Sequence, residues 1–212
     1  MSAASGSGIV FFSFLLWKRC ARIGTNKRQK GSVIRLDKRG RESVRFYCKD
    51  KKMEEGKIFK FHDDLDTDQI IASQYLLLPD LEEMKGHAFE SLDPDFSRKV
   101  KPGDFVVGGE NFGCGSSREQ APGVLKALGV KAVIAKSFAR IFFRNAINIG
   151  LPAIVCKDLP DQVETGDVMS LSLSEGTVTC KGNTYPCTKL AEYMQNILNQ
   201  GGLIASLNRE EE

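Results

Sequence analysis

Between Gly108 and Gln120 the chain concentrates four glycines, the serine pair Ser116 and Ser117, Cys114 and Arg118. Glycines allow backbone N–H groups to converge on one spot, and such a nest seats an anion. Arg118 adds a planar fork suited to holding a carboxylate in two places at once. The loop lacks the Lys-Ser/Thr ending of a P-loop and the glycine spacing of a dinucleotide fingerprint. It also lacks Gly-x-Ser-x-Gly, because Ser116 is followed by Ser117 and Arg118. A plainer reading stands beside the anion seat: Ser116 or Ser117 is the N-cap of a capping box.

The elements that must position this loop are legible around it. Phe105-Val106-Val107 has strand chemistry, and Pro102-Gly103-Asp104 before it reads as a turn. From Arg118 to Leu128 helix formers and spaced apolar residues predict a helix that opens at a serine and stops at Gly129. Lys57–Phe61, Lys131–Ala135 and Ala153–Cys156 read as further strands, and Phe138–Asn148 as a helix with Phe138, Ile141, Phe142, Ala146 and Ile149 in the core. Arg140 and Arg144 share one face of it, facing solvent, the serine loop or a partner. Val168–Leu173, Thr177–Cys180 and Asn183–Pro186 form a β-rich end, and a terminal helix over Leu190–Leu198 stops at Gly201-Gly202. The fold class is α/β.

An acidic stretch, His62–Asp68, follows the first strand. Asp64, Asp66 and Asp68 suggest a divalent cation at first sight, but the Gly-and-Glu continuation of an EF-hand loop is missing. Asp66 or Asp68 can instead cap a short helix running toward Tyr75. His62 and His87, the only two histidines, read as surface residues.

Four blocks now agree in order: Asp64–Ile71, Asn111–Glu119, Lys136–Asn145 and Asn148–Pro152. Together they make Lys57–Leu207 resemble the small subunits of 3-isopropylmalate dehydratases, the swivelling β/β/α domain of the aconitase superfamily. One departure is Gln120, where many relatives carry histidine. The resemblance implies a hydro-lyase of leucine biosynthesis that isomerises 2-isopropylmalate to 3-isopropylmalate by dehydration and rehydration. It implies Ser116 as catalytic base and Arg118 as carboxylate clamp and alkoxide stabiliser. Ser117, Thr67 and Asp68 are then substrate-binding residues. Leu77 and Leu78 favour an alkyl substituent, because an unpaired carboxylate buried against leucine is costly. The same architecture serves homoaconitate, citraconate or dimethylmalate hydration. From other classes, a stand-alone anion-binding or RNA-binding module remains in play.

The resemblance also implies a large-subunit partner that carries a 4Fe–4S cluster and a small hydroxy-diacid substrate. No cofactor or metal is expected on this chain itself. Its cysteines, at 20, 48, 114, 156, 180 and 187, form no Cys-x-x-Cys pair and no ferredoxin run.

Charge divides the chain. Residues 1–52 hold 14 Lys+Arg against 3 Asp+Glu, a balance of +11 in a chain whose net charge is +3, so the remainder carries −8. A disordered basic extension over 1–52 is therefore expected, and the resemblance implies a swivelling domain over 53–212. The apolar run Ile9–Trp17 is short of the roughly 20 residues of a membrane span, and its positive charge follows it rather than preceding it as in a signal peptide. The extension reads as a transit-like segment or as an over-extended gene start, with Met53 the natural beginning. The acidic remainder, without basic motifs interleaved with aromatics, argues against nucleic acid. The cytoplasm is the expected location, or a plastid or mitochondrion if the extension is a transit peptide.

Overall fold

A computed structural model describes residues 33–36, 42–45 and 55–210. The chain divides into two units, Met1–Asp50 and Lys51–Glu212. In the first, Val33–Leu36 (β1) and Glu42–Arg45 (β2) pair antiparallel, with Val33 opposite Arg45. The expected disorder and transit role of the rest of 1–52 lie outside the described residues.

The second unit is built on seven strands. Glu55–Lys60 (β3), Phe105–Gly108 (β4), Ala132–Ala135 (β5) and Ala153–Val155 (β6) run parallel in sequential order. Val168–Ser172 (β7), Thr177–Cys180 (β8) and Asn183–Pro186 (β9) extend the sheet as an antiparallel meander, with β7 pairing to β3. The full order is β6-β5-β4-β3-β7-β8-β9. Parallel strands in sequential order, joined by right-handed crossovers, place every crossover on the same face.

Those crossovers carry Thr67–Ile70 (α1), Leu81–Met84 (α2) and Phe96–Lys99 (α3), then Gln120–Ala127 (α4) and Arg140–Ile149 (α5). After the last parallel strand come Leu159–Gln162 (α6), Glu192–Asn199 (α7) and Leu203–Glu210 (α8). The strand period of two splits the core into two layers. Phe59, Val106, Val133 and Ala153 face the crossovers, joining Ile70, Phe96, Val124, Leu125 and Phe142. Their neighbours Ile58, Phe105, Val107, Ile134 and Ile154 face the other way, onto Leu159, Val163, Met169 and Val178. Strands buried on both faces read as unbroken apolar runs, which is why β4 to β6 stand out in the sequence.

Three expectations are corrected. Ile141 is half exposed, while Phe142 and Ala146 on the same helix are buried. Phe138 lies before α5, which starts at Arg140, so the aromatic spacing overran the helix. Gly201-Gly202 ends one helix and also opens α8, which the sequence reading did not include.

Candidate active site

The acidic stretch leaves the carboxyl end of β3, and the serine loop leaves the carboxyl end of its parallel neighbour β4. In open α/β sheets this edge is where ligands bind. The two segments are stitched together by backbone bonds. Leu65 O accepts from Gly113 N at 2.8 Å and Cys114 N at 3.2 Å, and Thr67 N donates to Cys114 O at 2.9 Å. Below them, Asn111 Nδ2 donates to Asp64 Oδ1 at 2.9 Å. Both of those residues have left-handed backbones, φ +54° and +52°, a conformation asparagine and aspartate adopt more readily than most. The loop is anchored from beneath by the buried ring of Phe112, edge-on to Phe138 and Phe142 at 5.8 and 5.2 Å between centroids.

Gly115 shows why the loop is glycine-rich. It holds φ +85°, and a Cβ there would stand 2.3 Å from Asp66 Oδ2. Asp66 needs that space because it caps α1. Its carboxylate accepts from Asp68 N at 2.7 Å while Gln69 Oε1 accepts from Asp66 N at 2.9 Å, a reciprocal capping box. Of the two candidate caps, then, Asp66 does the capping and Asp68 is left for other work.

That work is on Arg118. Asp68 Oδ1 accepts directly from Arg118 Nη1, and Ser73 Oγ lies 2.8 Å from the same oxygen and 3.0 Å from Arg118 Nη2. Ile71 O accepts from Arg118 Nη1 at 3.2 Å. The guanidinium beside Asp68 holds its carboxyl below the usual carboxylate range, with Ser73 adding to the effect. Opposite, Thr67 is almost wholly buried, and its Oγ1 lies 3.2 Å from both Ser116 Oγ and Ser116 O. Ser116 and Ser117 themselves are exposed. The structure therefore brings Ser116, Thr67, Asp68 and Arg118 into one constellation.

Leu77 and Leu78 part company. Leu77 stands 91% exposed at the end of a 3-10 turn, Ser73–Leu77, while Leu78 packs against the crossover-side core. Ser73 was not anticipated as a site residue, although its place five residues beyond Asp68 was a usable signal.

The serines do not cap the helix. Helix α4 begins at Gln120 with Glu119 as N-cap and no side-chain cap, so Ser116 lies outside its first turn. Pro122 is the reason. A proline has no N–H to give and its ring opposes a helical carbonyl four residues earlier, so it is tolerated only in the first turn. No helix N-terminus therefore opens at Ser116, and Thr67 Oγ1 is the side-chain neighbour within hydrogen-bonding distance of its hydroxyl.

Cys114 donates to Asp64 O at 3.3 Å, and burial first, then Asp66 and Asp64, push its thiol up. A thiol so placed is a poor nucleophile. No cluster of three or more potential metal ligands occurs among the described residues. Arg140 and Arg144 are both exposed. His87 is not simply a surface residue: it is half-buried and stacked on Tyr75, rings 3.8 Å apart.

A profile of the aconitase C-terminal domain matches residues 49–159, which hold this whole constellation. A 3-isopropylmalate dehydratase small subunit of Archaeoglobus fulgidus is 53% identical over 151 residues, 70% of this chain and 93% of its own length. This chain belongs to the 3-isopropylmalate dehydratase small-subunit family. Another member, an isopropylmalate/citramalate isomerase small subunit of Methanocaldococcus jannaschii, is 47% identical over 73% of this chain and 94% of its own. A crystal structure of a 3-isopropylmalate dehydratase from the same organism superposes with a TM-score of 0.71 at 44% identity. It covers 74% of this chain and 95% of that one. The family fold is thus the swivelling α/β domain, and the strands and loops of the site fall within the shared length. No helix among the described residues is long and apolar enough to cross a membrane.

Proposed function

We propose that this chain is the small subunit of a hydro-lyase that isomerises 2-isopropylmalate to 3-isopropylmalate in leucine biosynthesis. The observation that carries the reading is the placement of an exposed Ser116 hydroxyl 3.2 Å from buried Thr67, two residues from an Arg118 already oriented by Asp68. Ser116 takes the carbon-bound proton as water leaves, and returns it when water re-adds. An unaided serine is far too weak an acid to form its alkoxide. Thr67 Oγ1 is within reach to donate to it, and the Arg118 charge adds electrostatic support. Arg118 clamps a substrate carboxylate, Ser117 adds a loop hydrogen bond, and exposed Leu77 meets the alkyl substituent while Leu78 packs on the core.

Loss of hydroxide needs a Lewis acid, which a 4Fe–4S cluster on a large-subunit partner supplies. The described residues do not fit that group: Cys114 has no second cysteine beside it in the loop, and no cluster of three or more potential ligands forms among them. The purified chain, reconstituted anaerobically with iron and sulfide, is expected to take up no stoichiometric cluster and to show no dehydratase activity. Cluster uptake by this chain alone would sink the division of labour. The decisive test is co-purification with the large subunit and assay against 2-isopropylmalate, citramalate and other malate derivatives. Turnover of none of them overturns the reading.

The catalytic unit lies in residues 53–212. A chain beginning at Met53 is expected to fold, assemble and turn over substrate as the full chain does. Loss of assembly on truncation would make residues 1–52 a working part rather than a transit-like or spurious extension. The enzyme then acts in the cytoplasm, or in an organelle if those residues are a cleaved presequence.

A further inference from the structure

The turn that presents Leu77 is fastened at three places. Its first residue, Ser73, bonds to both Asp68 and Arg118. Its far end is closed by Leu78, whose N–H donates to Tyr75 O at 3.1 Å and whose side chain packs on the core. Its middle residue, Tyr75, lies flat on the His87 imidazole, centroids 3.8 Å apart and planes 11° from parallel. His87 Nδ1 sits 3.1 Å from Glu90 Oε2, so the carboxylate holds the ring on which Tyr75 lies. The Glu90 carboxylate nearby raises the Tyr75 phenol above its ordinary value, and Tyr75 with His87 lowers the Glu90 carboxyl.

The segment under the turn is itself fixed. Phe89, between His87 and Glu90, is fully buried, and its N–H donates to Ile70 O at 2.9 Å, at the end of α1. The Tyr75 stack is therefore referred back to the same short helix that positions Thr67 and Asp68. Leu77 stands four residues beyond Ser73, about 8 Å along a 3-10 turn at roughly 2.0 Å per residue. The one short turn thus links Ser73, bonded to Arg118, to the exposed Leu77.

We propose that Tyr75, His87 and Glu90 are positioning residues for substrate selection. Their ring stack and the His87–Glu90 bond hold Leu77 in place relative to Arg118, and loosening them relaxes discrimination between isopropyl and methyl substituents. The proposal rests on the functional reading above. A flexible turn can still admit either substituent, but it no longer favours the larger one by a preformed contact.

The test uses the full chain assembled with its large subunit, comparing kcat/KM for 2-isopropylmalate and citramalate. His87→Ala is expected to lower the isopropyl-to-methyl preference about five- to tenfold, through a higher KM for 2-isopropylmalate, with citramalate kinetics little changed. His87→Phe keeps a flat ring under Tyr75 and is expected to recover most of the preference. Tyr75→Phe, which keeps the ring stacked on His87 and removes only the hydroxyl, should shift it in the same direction by less. Equal losses on both substrates, an unchanged preference in His87→Ala, or no recovery in His87→Phe would each overturn the clamp. A wild-type complex that turns over neither substrate overturns the functional reading and the clamp with it. One that discriminates, while His87→Ala discriminates equally, overturns the clamp alone.

Discussion

Replacing Ser116 with alanine is expected to lower kcat by about 10²–10⁴, the usual contribution of a positioned proton-transfer group, while KM stays nearly constant. The substitution removes one oxygen and its contact to Thr67 Oγ1, and leaves the backbone bonds that hold the loop. The loop is fixed by Gly113 N and Cys114 N on Leu65 O, by Cys114 O on Thr67 N, and by the buried ring of Phe112. None of those contacts uses Ser116 Oγ. Stability should accordingly change by less than about 0.5 kcal/mol, as for other surface positions, and assembly with the large subunit should be intact. A fall in kcat at constant KM marks an interaction needed in the transition state. Thr67 would then face an alanine methyl and keep its bond to Ser116 O. Near-normal turnover in co-purified Ser116→Ala complexes would assign the base to another residue.

What the sequence disclosed about this site follows from how local each interaction is. The strand-loop-helix order around Gly108–Gln120 was readable because β4 is an unbroken apolar run and the glycines cluster. The layer structure was readable in outline, since β4, β5 and β6 must be buried on both faces. The start of α4 was misread because two attractive N-caps outweighed Pro122, a single residue with the stronger veto. The exposure of Ile141 was misread because its spacing fitted an apolar stripe that the helix does not use. The choice of Asp66 as cap was available in Gln69 three residues on, the spacing of a capping box, which Asp68 lacks. The pairing of Asp68 was not readable, because Arg118 approaches it from fifty residues away. The Tyr75–His87 stack was invisible for the same reason, and Ser73, though near Asp68 in sequence, owes its second bond to the same distant Arg118.

Replacing Arg118 with lysine tests the other half of the constellation. Arg118 reaches Asp68 and Ile71 O through Nη1 and Ser73 through Nη2. A single ammonium carries the charge but cannot reproduce that spread of donors. Only 16% of the Arg118 side chain is exposed, against 50% for Asp68, so the loss falls on a largely sheltered donor beside a half-solvated acceptor. Losing one charge-assisted contact to a substrate carboxylate is worth about 1.5–3 kcal/mol. KM should therefore rise by about one to two powers of ten, with a smaller fall in kcat from misalignment. The pH dependence has a definite sign. Asp68 has a depressed folded pKa, so its pairing with Arg118 contributes fully above the unfolded value of about 3.9. That contribution is lost only as pH falls through the lower folded value. Between pH 6 and 8 the pair is intact, and the KM ratio of Arg118→Lys to wild type should be flat across that range. A ratio that collapses toward one between pH 6 and 8 would place a different titrating group at the clamp. An unchanged KM would show that Arg118 orders the turn through Ser73 without touching substrate.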